Sequence, residues 1–296
     1  MTQPVSAPQS HRRVLLQAAG EGKPLFIFPG INGVPGTYTD LASRLGNQRP
    51  VFGFHQIGSL NECEPVRRVG RLAQLYAAEI RSVQPRGPYW LFGYSFGGVL
   101  AFEVARELLS HGERVGLVAM ADCPAPGYPK PAHPLVRAKL HLENLLRLSM
   151  PQRIGYVQDR LGNGVARIQR MLGVKPVAEN TDTTPEHIQR VNAALHEAYE
   201  NYAPAALSVD VLFLTAETPP DWPATVFDDP LMGWGPALRG RISQCGVPGA
   251  HLSIFAPENV TVLADHLRNA LAQADHADGT LAATATSAAA SEVRLS

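Results

Sequence analysis

The chain has 296 residues, of which 45% are hydrophobic, and its 26 Lys and Arg residues are balanced by 26 Asp and Glu residues. A chain of this length and composition can bury the core of one enzyme-sized globular unit. Its balanced charge excludes a global basic field of the kind that draws a protein to nucleic acid or to an anionic membrane. We therefore expect neither as a partner.

The cysteines and the hydrophobic runs indicate the compartment. Cys63, Cys123 and Cys245 lie far apart in the chain, which argues against a disulfide framework or a zinc site. The amino-terminal residues contain no apolar stretch typical of a signal peptide. No uncharged apolar run reaches the roughly 18 residues that a membrane-spanning helix needs. A soluble, cytoplasmic protein is predicted.

Short β-rich runs alternate with amphipathic helical patterns between residues 11 and 275, which we expect to form the folded domain. Seven strands are predicted, near 12–18, 24–29, 51–55, 88–93, 114–121, 208–215 and 240–247. Five helices are predicted, near 38–46, 66–84, 97–111, 186–201 and 257–272. This alternation is typical of an α/β fold with a mostly parallel sheet covered by helices. Polar residues 1–10 and the small-residue tract 276–296 are predicted to be disordered tails.

A stretch from about 127 to 185 interrupts the alternation, because it has no clear strand, several prolines and glycines, and two or three possible short helices. We predict that it forms a helical lid inserted into the domain. Between 129 and 175 it carries nine basic residues against two acidic ones. Such a segment either steers an acidic partner by electrostatic attraction or forms a solvated helical face.

The sequence GYSFG at 93–97 stands between an apolar predicted strand and a predicted amphipathic helix. It matches the pattern G-x-S-x-G of a nucleophile elbow, in which glycines flank a tight turn and a strained serine projects above the sheet. A serine before a helix can also be an ordinary N-cap. The strand before and the helix after favour the elbow, so Ser95 is the candidate nucleophile.

A serine hydroxyl is a weak nucleophile near neutral pH, so Ser95 needs a general base and an acid that orients the base. Of the ten histidines, His251 is the one that follows a predicted strand at the carboxyl edge of the sheet, later in the chain than Ser95. Two acids occupy the same edge, Asp122 and Glu217, each at the end of a predicted strand. Position alone leaves both acids open.

Acyl transfer also needs two backbone N–H groups that point at one oxyanion. One is expected from Phe96, the residue after the nucleophile. The glycine-rich turn in FIFPGINGVPG can supply the second, for which Ile31 is the candidate, although a simple Pro-Gly turn explains the same residues. Cys123 is more typical of a packing residue than of a nucleophile. Nothing in the sequence implies a metal or a bound organic cofactor.

Several segments resemble one family, the α/β-hydrolase thioesterase domains that end nonribosomal peptide and polyketide synthases. The resemblance covers most of 12–272 and is carried by three segments, PLFIFPGINGVPGTYTDLASRL, QPRGPYWLFGYSFGGVLAFEVARELLSHGERVGLVAMADCPAPG and VPGAHLSIFAPENVTVLADHL. It implies an α/β-hydrolase fold with a mobile lid. It also implies that the acid is Asp122 rather than Glu217, and that Ile31 is the second oxyanion donor.

The resemblance further implies a thioesterase of secondary metabolite biosynthesis. Such an enzyme releases an acyl, peptidyl or polyketide chain from a phosphopantetheine thioester, by hydrolysis or cyclisation of an acyl-serine intermediate. The implied partners are an acyl or peptidyl carrier protein and a small-molecule acyl substrate, and the substrate rather than the enzyme carries the phosphopantetheine. A free-standing editing thioesterase, a carboxylesterase and a binding protein that has lost catalysis are the alternatives.

Overall fold

The computed structural model describes residues 12–129, 184–218 and 228–293. The chain divides into two compact units, and the second consists of residues 129–185 and 221–227. The predicted amino-terminal tail at 1–10 lies outside the described residues, and so does nearly all of the predicted lid at 127–185. Both stay predictions.

The first unit is built on a seven-stranded sheet. Its strands are β1 Arg13–Gln17, β2 Leu25–Phe28, β3 Val51–Phe54, β4 Tyr89–Tyr94, β5 Val115–Ala121, β6 Val211–Ala216 and β7 Ile242–Val247. They lie side by side in the order β1-β3-β2-β4-β5-β6-β7. The β1 strand pairs with β3 in the antiparallel sense, and every other neighbouring pair is parallel. The predicted mostly parallel sheet is confirmed.

The helices in the described residues connect these strands or cover the sheet. The α-helices are α1 Thr39–Arg44, α2 Val69–Val83, α3 Phe96–Ser110, α4 Glu186–Glu200 and α5 Val260–Val293. Two short 3-10 helices, Pro35–Tyr38 and His251–Ser253, lie in loops at the carboxyl edge of the sheet. None of the described helices combines the length and the apolar character needed to cross a membrane.

The carboxyl-terminal helix α5 is longer than the sequence pattern predicts, because it continues to Val293. The segment 276–296, predicted to be a disordered tail, is therefore helical as far as that residue. Alanine has the best helix propensity of all residues, and this segment is rich in it. In addition, the Asp278 carboxylate forms ion pairs with Lys23 and Arg114, which lie just before β2 and β5. These ion pairs fasten the extended helix to the sheet.

The hydrophobic core lies on both faces of the sheet, and the strands alternate between the two. In β2, Phe26 and Phe28 face the core under α2 and α3, whereas Leu25 and Ile27 face the core under α1 and α5. All four side chains are fully buried. Strands that are buried on both faces need continuous apolar runs, as these sequences have. The last residues of the central strand β4 therefore reach the carboxyl edge of the sheet between two packed layers of helices.

Gly116 in β5 provides a test of this packing. A Cβ atom at Gly116 would lie 1.6 Å from Cζ3 of Trp90, which is itself fully buried. We expect Gly116→Ala to lower the free energy of unfolding by about 1–3 kcal/mol, as overpacking of a core does, measured by denaturant unfolding. Gly36→Ala is the control, because its Cβ would meet no heavy atom within 4 Å. Equal stability of the two variants would contradict the close contact at Gly116.

Candidate active site

Ser95 occupies the turn between β4 and α3. Its backbone has φ 54° and ψ −127°, a conformation that residues other than glycine rarely adopt. Its N–H donates to the Ala121 carbonyl at 2.9 Å, and its own carbonyl accepts from the Gly98 N–H at 2.9 Å. These hydrogen bonds hold the strained turn between β5 and the first turn of α3. The predicted elbow is thus formed at the carboxyl end of β4.

The two glycines of the motif are required by close approach of the main chain. A Cβ atom on Gly93 would lie 1.9 Å from the carbonyl oxygen of Gly97. A Cβ atom on Gly97 would lie 2.4 Å from the carbonyl oxygen of Phe28 in β2. Any side chain at either position would push α3 away from the sheet, so the spacing of the motif follows from how tightly this helix packs.

Asp122 and His251 form a hydrogen-bonded pair at the same edge of the sheet. Oδ2 of Asp122, directly after β5, lies 2.6 Å from Nδ1 of His251, in the loop after β7. Oδ1 of Asp122 accepts from the Ala216 N–H at 3.0 Å. The Asp122 side chain is 1% exposed, and the His251 side chain is 20% exposed. A neutral imidazole that donates Nδ1–H to a carboxylate keeps Nε2 available to accept a proton.

Glu217, the alternative acid, has different neighbours. It follows β6 and is exposed, and its N–H donates to the Val247 carbonyl at 2.9 Å. Its carboxylate lies over Gly246, where an added Cβ atom would be 2.9 Å from Oε1 of Glu217. The carboxylate that meets Nδ1 of His251 is that of Asp122. The geometry therefore favours Asp122 as the acid.

The two candidate oxyanion donors lie in segments that border Ser95. Phe96 begins α3, and the N–H groups of the first helical turn have no acceptor within their helix. Ile31 follows Gly30, whose main chain lies against the elbow: a Cβ on Gly30 would be 3.9 Å from Cβ of Ser95 and 3.4 Å from the Tyr94 carbonyl oxygen. The loop after β2 thus comes close to the turn at Ser95.

Gln56, which belongs to no sequence motif, supports this loop. Its side chain is buried, and its Nε2 donates to the Gly30 carbonyl at 2.8 Å. The same carbonyl accepts from the Gly33 N–H at 3.0 Å. The two hydrogen bonds fix the peptide that precedes Ile31. The sequence signal was a polar residue shortly after a buried strand at the functional edge of the sheet.

Tyr199 in α4 is a second supporting residue that the sequence did not indicate. Its hydroxyl donates to the Pro124 carbonyl at 3.0 Å, and its ring meets Phe96 edge-on with centroids 6.2 Å apart. Burial raises the pKa of Tyr199, so this hydroxyl stays protonated and able to donate. One side chain thereby braces both the start of α3 and the loop after Asp122.

Cys123 is a packing residue in this structure. Its side chain is fully buried, and its Sγ would lie 2.7 Å from a Cβ placed on Gly98. Burial, and to a lesser extent the Asp122 carboxylate, raise the pKa of its thiol. Its carbonyl accepts a hydrogen bond from Nε1 of Trp234 at 2.7 Å. A buried, protonated thiol of this kind is a poor nucleophile.

The chain matches a known protein family. Residues 23–271 match the family model described as "Thioesterase domain". The chain is 27% identical over 248 residues to the dimodular nonribosomal peptide synthase of Bacillus subtilis (strain 168), covering 82% of this chain and 10% of that protein. It is 28% identical over 258 residues to malpinin synthetase of Mortierella alpina, covering 87% of this chain and 3% of that protein. The chain therefore spans a tenth or less of the length of these relatives.

Solved structures share the fold. The NocB thioesterase domain, in covalent complex with a fluorophosphonate nocardicin G analog, superposes with a TM-score of 0.58 at 24% identity, covering 86% of this chain and 96% of that chain. The type II thioesterase BorB from the borrelidin biosynthetic cluster superposes with a TM-score of 0.58 at 20% identity, covering 88% and 98%. These likenesses confirm the predicted fold class.

A matched pair of variants tests the assignment of the acid. Asp122→Asn keeps the size of the side chain and removes the charge that orients the imidazole, so we expect labelling of Ser95 by a fluorophosphonate to slow by about 10³- to 10⁴-fold. Glu217→Gln is the control and should change the rate by roughly twofold or less. Both rates are measured by intact mass spectrometry. If Asp122→Asn is labelled as fast as Glu217→Gln and wild type, Asp122 is not the acid.

Proposed function

The chain belongs to the thioesterase-domain family of nonribosomal peptide and polyketide synthases, and on that premise we propose that it releases an acyl, peptidyl or polyketide chain from the phosphopantetheine thioester of a carrier protein. The observation that carries this proposal is the buried Asp122–His251 pair at the sheet edge where Ser95 occupies its strained turn. All three residues lie within the segment that matches the family. A serine hydrolase mechanism follows from them.

In the acylation step, Nε2 of His251 takes the proton of Ser95 Oγ while this oxygen attacks the thioester carbonyl carbon. The buried Asp122 carboxylate stabilises the imidazolium that forms. The tetrahedral oxyanion accepts hydrogen bonds from the N–H groups of Ile31 and Phe96. When the intermediate collapses, the C–S bond breaks and His251 returns the proton to the sulfur, so the phosphopantetheine arm leaves as a thiol.

The acyl-serine ester is then resolved by a second nucleophile. Water activated by His251 gives the free acid, whereas an amine or hydroxyl of the bound chain gives a ring. Exclusion of water from the ester favours the ring. In both cases His251 removes the proton of the incoming nucleophile and returns it to Ser95 Oγ. The reaction thus needs no cofactor beyond the phosphopantetheine that arrives with the substrate.

A free-standing editing thioesterase is the second candidate. It is favoured by the likeness to BorB, a type II thioesterase, over 98% of that chain. An editing enzyme removes unwanted acyl groups from stalled carriers, so it should hydrolyse carriers loaded with short acyl groups faster than carriers loaded with mature chains. The proposed release enzyme should show the opposite preference. The two candidates use the same mechanism and differ in acyl chain.

Replacement of the nucleophile tests the proposed chemistry. After exposure to a panel of amino-acid-derived and polyketide-like acyl-pantetheine thioesters, wild type should gain the mass of one acyl group, and Ser95→Ala should gain none. Ser208→Ala is the control, because Ser208 is an exposed serine before β6, at the opposite edge of the sheet, and should load like wild type. Acyl loading that persists on Ser95→Ala would contradict the assignment of the nucleophile.

The same panel separates the alternatives. Faster turnover of small esters than of thioesters would favour a carboxylesterase. If no thioester reacts but a fluorophosphonate still labels Ser95, the true acyl group lies outside the panel. Failure of both reagents would indicate a binding protein that has lost catalysis.

The basic segment at 129–175 generates a prediction about the carrier protein. Carrier proteins are commonly acidic, so its nine basic residues against two acidic ones should attract them. We expect kcat/KM for an acylated carrier to fall about tenfold when the salt concentration rises from roughly 50 to 500 mM, because salt screens this attraction. The same acyl group on pantetheine, which is uncharged, is the control. A carrier reaction that is insensitive to salt would contradict steering.

A further inference from the structure

Tyr94, which immediately precedes Ser95, makes two different contacts with His251. Its hydroxyl donates a hydrogen bond to the His251 carbonyl oxygen at 2.5 Å. Its ring lies against the imidazole, with centroids 4.8 Å apart and ring planes 33° from parallel. A single side chain of the elbow therefore holds both the main chain and the ring face of the histidine that pairs with Asp122.

The Tyr94 ring is itself held from other sides. Phe255 meets it edge-on, with centroids 5.0 Å apart and planes at 90°. Tyr38 in turn meets Phe255 edge-on at 5.4 Å and donates from its hydroxyl to the Phe28 carbonyl at 3.2 Å. A Cβ on Gly30 would lie 3.8 Å from Cδ1 of Tyr94. The aromatic ring is packed on all these sides, so it forms a fixed surface for the imidazole.

In the described part of the chain, two titratable side chains contact His251. Asp122 comes from the end of β5 and Tyr94 from the end of β4. Glu217, at the end of β6, has its carboxylate over Gly246. The N–H of Thr218, which follows Glu217, donates a hydrogen bond to the Gly249 carbonyl. Burial, and secondly the Asp122 carboxylate, raise the pKa of Tyr94, so its hydroxyl remains a donor.

We propose that Tyr94 is a positioning residue for His251, whose hydroxyl fixes the main chain of the loop and whose ring stabilises the imidazolium formed when Ser95 gives up its proton. The inference rests on the proposed function only in giving His251 the role of general base. A cation within about 6 Å of an aromatic centroid is attracted to the ring face. The contact between Tyr94 and His251 therefore strengthens as the proton is transferred.

Tyr94 and Asp122 act on different parts of the imidazole. Asp122 fixes the tautomer and the direction of the Nδ1–Nε2 axis through the ring edge. Tyr94 restrains rotation out of that plane, because its ring covers one face of the imidazole. The elbow motif leaves the residue before the serine unspecified. The turn therefore does not require a tyrosine before the serine.

Three variants test the proposal. Tyr94→Leu removes the ring and the hydroxyl, and Tyr94→Phe removes the hydroxyl alone. Tyr89→Phe is the matched control, because the Tyr89 hydroxyl also donates to a main-chain carbonyl, that of Gln84 at 3.0 Å, from the other end of β4. The first measurement is the NMR titration of the His251 ring, assigned with His251→Gln. The second is the pH profile of kcat/KM for a thioester that wild type turns over.

We expect Tyr94→Leu to move the titration midpoint of the His251 ring, and the acidic limb of the profile, to lower pH by about 0.5–1 unit, because the ring no longer stabilises the cation. Tyr94→Phe should keep the midpoint and lower kcat by about 3- to 10-fold through the lost hydrogen bond. Tyr89→Phe should change neither quantity.

An unchanged or higher midpoint in Tyr94→Leu would overturn the role of the ring, and wild-type turnover in Tyr94→Phe would overturn the role of the hydroxyl. Thermal unfolding checks that each variant folds. If Tyr94→Leu does not fold, Tyr94→Met replaces it, since methionine fills a similar volume without an aromatic face. The titration needs no substrate. A shifted midpoint in a protein that reacts with neither the thioesters nor a fluorophosphonate would therefore support Tyr94 and refute the proposed function.

Discussion

The buried carboxylate of Asp122 is the constraint on which the carboxyl edge of the sheet depends. A charge removed from water must be compensated by hydrogen bonds, or it destabilises the folded state. Both carboxylate oxygens are compensated here, one by the Ala216 N–H and the other by Nδ1 of His251. These partners come from the end of β6 and the loop after β7. The hydrogen bonds to this carboxylate thus hold the end of β5, the end of β6 and the loop after β7 in a fixed arrangement.

The strained backbone of this edge is held by its surroundings. Ser95 and Asp122 both have positive φ, 54° and 41°, and each donates its N–H to a carbonyl of the neighbouring strand. Around them, Trp234 and Tyr199 donate to the main chain of the loop after Asp122. Strain of this kind persists only where the packing overdetermines the conformation. It is useful in catalysis because the groups need not reorganise when the substrate arrives.

His251 is held by several contacts, although it lies in a loop. Asp122 binds the edge of its ring, Tyr94 covers a face, and the Tyr94 hydroxyl binds its carbonyl. The 3-10 turn that begins at His251 is closed by Ser253, and Asn259 donates to the Ser253 carbonyl at 2.9 Å. A side chain on a loop is normally mobile, so these contacts supply the order that a strand or helix would otherwise give.

The sequence by itself determined the seven strands, the elbow and the edge at which the candidate residues meet, because hydrophobic periodicity and turn glycines act over short distances. It left Asp122 and Glu217 open, and only the resemblance to a family separated them. The tertiary structure decided which carboxylate meets His251, that Gln56 and Tyr94 support the site, and that 276–293 is helical. Tyr94 and His251 are 157 residues apart in the chain. Contacts between residues so far apart in the chain depend on how the helices pack on the sheet, so local sequence patterns do not predict them.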